Sequence, residues 1–148
     1  MFDANMNLSA NYLYNLPVEQ KVVFLRIFSK MIHFDGQVDE TEKEFMRRVA
    51  AMLDVAPQKV DEALKSVDRE ETVREAALIK NRRVALELIK ELCVLAHSDD
   101  VLSDEEILFI GEVGAAMGIE PEKIEQISNW VIDRLIWLNQ GKIIFEEV

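Results

Sequence analysis

The chain has 148 residues, 49% of them apolar and 30% charged, with a formal net charge of −11. That length and composition suit one domain with a core of its own. The acid excess opposes binding to nucleic-acid phosphates or anionic lipid, which need a basic patch, and favours cations or basic protein surfaces as partners.

Five glycines and three prolines are few for this length, and no run alternates apolar and polar residues as a half-buried strand does, so the expected fold class is all-α. After a polar start, with a short helix around Leu8 to Tyr14, Pro17 at a first-turn position opens a helix through Phe24, Leu25, Phe28, Met31 and Ile32. Gly36 marks its end. Asp39 and Glu42 form a capping box that starts a second helix, with Phe45, Met46, Val49, Met52 and Leu53 on its apolar face. Pro57 opens a shorter helix carrying Val60, Ala63, Leu64 and Val67.

The charged segment from Asp68 to Glu75 lacks glycine and proline and reads as helical linker. From about Val84 a further helix turns Leu88, Ile89, Leu92, Leu95 and Ala96 inward. Ser103 and Glu106 form a second capping box, followed by Phe109, Ile110, Val113 and Met117, and Gly118 ends that helix. Pro121 opens the last one, with Ile124, Ile127, Val131, Leu135 and Leu138 on one stripe. Trp130 and Trp137, seven apart, form a second stripe. A central place in the core explains so wide an apolar arc most simply; a face for a partner or a second copy is the functional reading. Beyond Gly141 the tail carries Ile143, Ile144 and Phe145, which must pack somewhere or remain adhesive.

The segment His33 to Val60 recurs without a gap 64 positions later, as His97 to Ile124. Of the 28 aligned pairs, eight are identical, among them His33/His97, Asp35/Asp99, Glu42/Glu106, Phe45/Phe109 and Pro57/Pro121. The period exceeds that of stacked solenoids, so the chain reads as two copies of one helical module folded on each other. The copies span about 17–67 and 84–140, joined by a linker over 68–83 and followed by the tail 141–148.

Each copy places an acidic turn between two helices. Asp35 to Glu44 holds five acids against one base, and Asp99 to Glu106 holds five against none. Hard divalent cations such as Ca²⁺, Mg²⁺ or Mn²⁺ want several converging oxygen ligands, which makes Asp35, Asp39, Glu42, Asp99 and Glu106 candidate ligands, with Asp100 and Asp104 secondary. The turns lack the ligand series of an EF-hand. Capping alone accounts for Ser103 in place of Asp39 and for Asp100 in place of Gly36. It does not require Asp35 or Asp99. His33 and His97 precede those aspartates by two residues. Both are secondary candidates for a metal or pH-sensing role, although a helix C-terminus favours histidine by itself.

The longest apolar stretch, Val22 to Ile32, is interrupted by Arg26 and Lys30, and the N-terminus lacks the features of a signal peptide, so no membrane insertion is expected. A single cysteine, Cys93, on an apolar helix face reads as an inert thiol in a cytoplasmic protein. No phosphate loop, nucleophile elbow or Glu-x-x-His pair occurs, which argues against an enzyme.

The run Asp35-Gly36-Gln37-Val38-Asp39-Glu40-Thr41-Glu42 follows an apolar helix. Its counterpart is Asp99 to Glu106, with Met117-Gly118-Ile119-Glu120-Pro121 beyond. Over about residues 20–127 this doubled pattern resembles the tellurite-resistance TerB family and the related domain of a DnaJ-like co-chaperone. The resemblance implies an all-helical domain of two pseudo-symmetric halves. It also implies acidic clusters that hold divalent cations, at Asp35, Asp39 and Glu42 with Asp99 and Glu106, in a sensor or scaffold of stress or tellurite resistance. Asp100 and Ser103 depart from the pattern in the second turn. The competing expectation is a metal-independent interaction module that uses Trp130, Trp137 and the Ile143 to Phe145 tail to form a homodimer or to grip a partner.

Overall fold

A computed structural model describes residues 14–32, 40–63, 68–97 and 103–146. The described residues form seven helices and no strand: α1 (Val18–Ile32), α2 (Glu40–Met52), α3 (Pro57–Ala63), α4 (Arg69–Ala76), α5 (Arg82–His97), α6 (Asp104–Ala116) and α7 (Pro121–Phe145). The expected turn at Gly36, the Asp39 side of the first capping box, and Leu64 and Val67 fall outside the described residues. So does most of the short helix expected around Leu8 to Tyr14. No helix of the described residues is long and apolar enough to cross a membrane.

Helix α1 forms the centre. Leu25 and Ile27 are fully buried, with Val23, Phe24, Phe28 and Met31 nearly so, because the helix has neighbours on several sides: α2, α3, α4 and α5. The Pro17 carbonyl accepts from the Gln20 and Lys21 amides, at 3.0 and 3.1 Å, so the proline stands just ahead of the helix it opens. Helices α1, α2 and α3 pack on one another, as do α5, α6 and α7; α1 meets α5 between the two groups, and α4 bridges α1 and α6.

Local chemistry fixes the helix ends. Asp68 caps α4 by accepting from the Glu71 amide at 2.7 Å. Ser103 and Glu106 make a complete capping box on α6. Pro121 stands at the first turn of α7. Two helix exits match at 64 residues' separation. The Val55 amide donates to the Ala50 carbonyl at 2.9 Å, and the Ile119 amide to the Gly114 carbonyl at 2.8 Å. Each passes through a left-handed residue, Asp54 at φ 58° and Gly118 at φ 79°. These bonds close the carbonyls that a helix end leaves free.

Three apolar positions differ from expectation. Met52 is exposed, and Ala50 joins Met46 and Leu53 in the buried face of α2; steps of four and three residues keep 46, 50 and 53 on one stripe and turn Met52 away from it. Trp130 and Trp137 lie on the surface rather than in the core, since α7 has room against α5 and α6 for one stripe only, the one centred on buried Val131. Nor does the helix stop near Gly141: it runs on to Phe145.

Candidate functional site

The acidic segments fall, in chain order, between α1 and α2 and between α5 and α6. Asp35, Asp39, Asp99 and Asp100 lie outside the described residues, as does His33, and the Glu42 side chain is likewise not described. Asp104 is exposed in the first turn of α6. Glu106 is engaged in the capping box: its Oε1 accepts from the Ser103 amide at 3.2 Å, while its own amide donates to Ser103 Oγ at 3.1 Å. Among the described residues no group of three or more His, Cys, Asp or Glu side chains is placed to hold a metal ion.

His97 belongs to a different arrangement. Its Nε2 lies 3.1 Å from Ser128 Oγ, across from α5 to α7. Cys93, one turn earlier on α5, faces the same hydroxyl. Burial pushes the Cys93 thiol up to about 11, with the Ser128 hydrogen bond opposing. Burial also lowers His97 from its ordinary value of 6.5, against the pull of the Glu106 carboxylate. Both groups are therefore held in their uncharged forms at neutral pH. A thiol so far from ionisation is a poor nucleophile, which fits an inert Cys93.

Above this corner opens a cleft of about 400 Å³ between α5, α6 and the first half of α7. Ile107, Ile110, Pro121 and Ile124 make its apolar walls, with Gly111 on one side and Glu125 and Asn129 at the rim. Sequence reasoning missed it, although the 64-residue alignment sets Gly111 opposite Arg47, a change from the longest cation to no side chain.

The second surface is α7 itself. Its 25 residues span about 37 Å. Trp130 is 46% exposed, Trp137 68%, Ile143 69%, Ile144 63% and Phe145 85%. Beyond Leu138 only Gly141 is even half-buried among the described residues. Trp137, Ile143, Ile144 and Phe145 thus share the C-terminal end of α7, where no described residue buries Phe145, whereas Trp130 lies mid-helix beside Arg83, Leu86 and Lys90 of α5.

At the base of α7, Arg82 holds Glu120 through two bonds of 3.0 and 2.7 Å. That pairing lowers the Glu120 carboxyl and raises the guanidinium. It ties the start of α5 to the start of α7. Searches against family models, curated proteins and solved structures give no match for this chain.

Proposed function

We propose that the chain is a non-enzymatic, cytoplasmic helical module of TerB type, built of two pseudo-symmetric halves, which pairs through the projecting end of α7 with α7 of a second copy. The exposed Trp137, Ile143, Ile144 and Phe145 side chains carry this reading. A monomer rarely leaves four large apolar side chains exposed around one helix end. Trp130, Trp137 and Ile144 recur every seven residues, the spacing that keeps a seam facing another helix. Gly141, one turn after Trp137, leaves room for close approach.

Charge favours a second copy as the occupant. From Trp130 to Phe145 the only charged residues are Asp133, Arg134 and Lys142. This segment escapes the acid excess that keeps two chains of net charge −11 apart elsewhere. The recurrence of helix-exit hydrogen bonds at 64 residues supports the two-halves reading. Light scattering of the full chain at micromolar to millimolar concentration tests the pairing. A mass of twice 17.0 kDa is expected, falling to a single mass in Trp137→Glu and Ile144→Glu with unchanged helicity. A wild-type chain that stays monomeric throughout overturns it.

The same register in the sequence supports a second reading, because it aligns the acidic run Asp35 to Glu42 with Asp99 to Glu106: a divalent cation held by Asp35, Asp39 and Glu42, and by Asp99 and Glu106, in a stress-response sensor or scaffold. Calorimetric titration with Ca²⁺, Mg²⁺ and Mn²⁺ decides it. Binding tighter than about millimolar that weakens in Asp35→Asn and Asp99→Asn supports a site, whereas no binding, or unchanged binding in both variants, rejects it.

A further inference from the structure

The 64-residue register sets the cleft over Cys93 and Ser128 beside a stretch of the first half that carries an arginine where the cleft has Gly111. Arg47 on α2 reaches Asp61 on α3 at 3.7 Å and Glu44 at 3.6 Å. Sixty-four residues on, Arg47 becomes Gly111 and Asp61 becomes Glu125, while Pro57/Pro121 and Val60/Ile124 keep the same frame. The carboxylate is retained and its cation is gone. Among the described residues no base stands within ion-pair distance of Glu125, and Gly111 and Glu125 both line the cleft.

Packing does not explain the missing side chain. A Cβ built on Gly111 meets nothing within 4 Å, whereas one on Gly114, a turn later, would come to 2.3 Å from Ile124 Cδ1. Gly114 is small so that α7 can approach α6. Gly111 has no such neighbour, and in the middle of a helix it costs stability relative to alanine. The space above it is open, walled by isoleucines and ended by a carboxylate.

We propose that this cleft is a binding site for an alkylguanidinium cation: an apolar stem lying between Ile107, Ile110 and Ile124, with the planar cation on Glu125 in the place the Arg47 guanidinium takes beside Asp61. The Ser128 hydroxyl and the Asn129 side chain at the rim supply further acceptors. The uncharged Cys93 and His97 at the floor accept the stem without a buried charge to offset. A guanidinium suits the site better than an ammonium because its flat fork matches a carboxylate and is more weakly hydrated. The acid excess of the chain draws cations to it. This inference rests on the 64-residue register and not on pairing through α7.

Two measurements on the full chain test it. The first is titration with n-butylguanidinium followed by amide chemical shifts. Saturable changes are expected at residues 93–97, 107–111 and 121–129 with an affinity of about millimolar, weakened at least tenfold in Glu125→Gln. Guanidinium alone and n-butanol test the two halves of the ligand, and each should bind at least tenfold more weakly. An acetyl-Gly-Arg-Gly-amide arm distinguishes a peptide arginine from a free alkylguanidine as the source. The second measurement supplies the cation in cis. Gly111→Arg should raise the melting temperature and abolish butylguanidinium binding, and Glu125→Gln should remove the added stability in the double variant. Should Gly111→Arg fail to fold, Glu125→Gln and the smaller Gly111→Leu, which occludes the cleft without charge, decide the matter by the titration. No saturable shifts, or equal binding in Glu125→Gln, overturns the proposal.

Discussion

Asp54 and Gly118 stand 64 positions apart and both leave a helix in the left-handed conformation, at φ 58° and φ 79°. One exit uses the residue that has no steric objection to that backbone; the other forces an ordinary L-residue into it, a cost of about 1–2 kcal/mol that a short polar side chain partly relieves. A Cβ on Gly118 meets no atom within 4 Å, so the penalty of substituting it is one of backbone alone. Gly118→Ala should therefore destabilise the chain by about 1 kcal/mol, and Asp54→Gly should stabilise it by up to about 1 kcal/mol. Urea unfolding of the two variants checks this; effects of the same sign would mean that the exits are not equivalent.

The two central glycines of α6 should separate in the same experiment. Gly111→Ala adds a methyl into open space and removes helix-interior glycine, for a gain of about 0.5–1 kcal/mol. Gly114→Ala drives a methyl against the Ile124 side chain, with Ile89 Cδ1 at 3.6 Å behind it, and the overpacking outweighs the helical gain, for a net loss of about 1 kcal/mol. A stabilising Gly114→Ala would show that Ile124 yields freely into the neighbouring cleft.

Much of the architecture is legible in the residues that start and stop helices. Ser103 with Glu106, Pro57, Pro121 and Gly118 act through their own backbone and side-chain chemistry, so they read the same in the sequence as in the fold. The segment from Asp68 reads as helical linker and forms α4, while the cap that Asp68 supplies appears only in the structure. Trp130 and Trp137 were not legible in that way, because an apolar stripe records that burial is sought and not which chain provides it. Gly111 and Gly114 look alike along the helix and differ only in what stands opposite. The cleft is a relation between three helices, and no local signal announces it.

Cys93 should be nearly silent toward thiol reagents. With its thiol pushed up to about 11, the reactive thiolate fraction at pH 8 is roughly a hundredfold or more below that of a free cysteine near 8.5, and the side chain is 1% exposed. Since the chain has one cysteine, mass spectrometry of iodoacetamide labelling reports this site alone. A rate at least a hundredfold below that of glutathione is expected. A rate within tenfold of it would place the thiol in solvent and dissolve the packed floor described for the cleft.

His97 gives the folded chain a pH dependence whose sign follows from burial. The folded state resists protonating it, being lowered from 6.5 chiefly by desolvation, with Glu106 opposing. The unfolded chain takes up the proton first as pH falls. Folding is therefore favoured fully above the ordinary value, and that contribution is lost as pH drops from about 6.5 through the lower folded value. Ser128, which meets His97 Nε2 at 3.1 Å, can accept from or donate to the neutral ring, so nothing at the hydrogen bond rewards the charged form over the neutral one. Replacing His97 by Gln keeps a polar partner for Ser128 and removes the titration. Wild type should then lose more stability than His97→Gln between pH 7 and pH 5, measured by urea unfolding at each pH, while the two run parallel from pH 7 to pH 8. Parallel behaviour across the whole range would mean that Glu106 fully offsets the desolvation and that the α5–α7 corner is open to water.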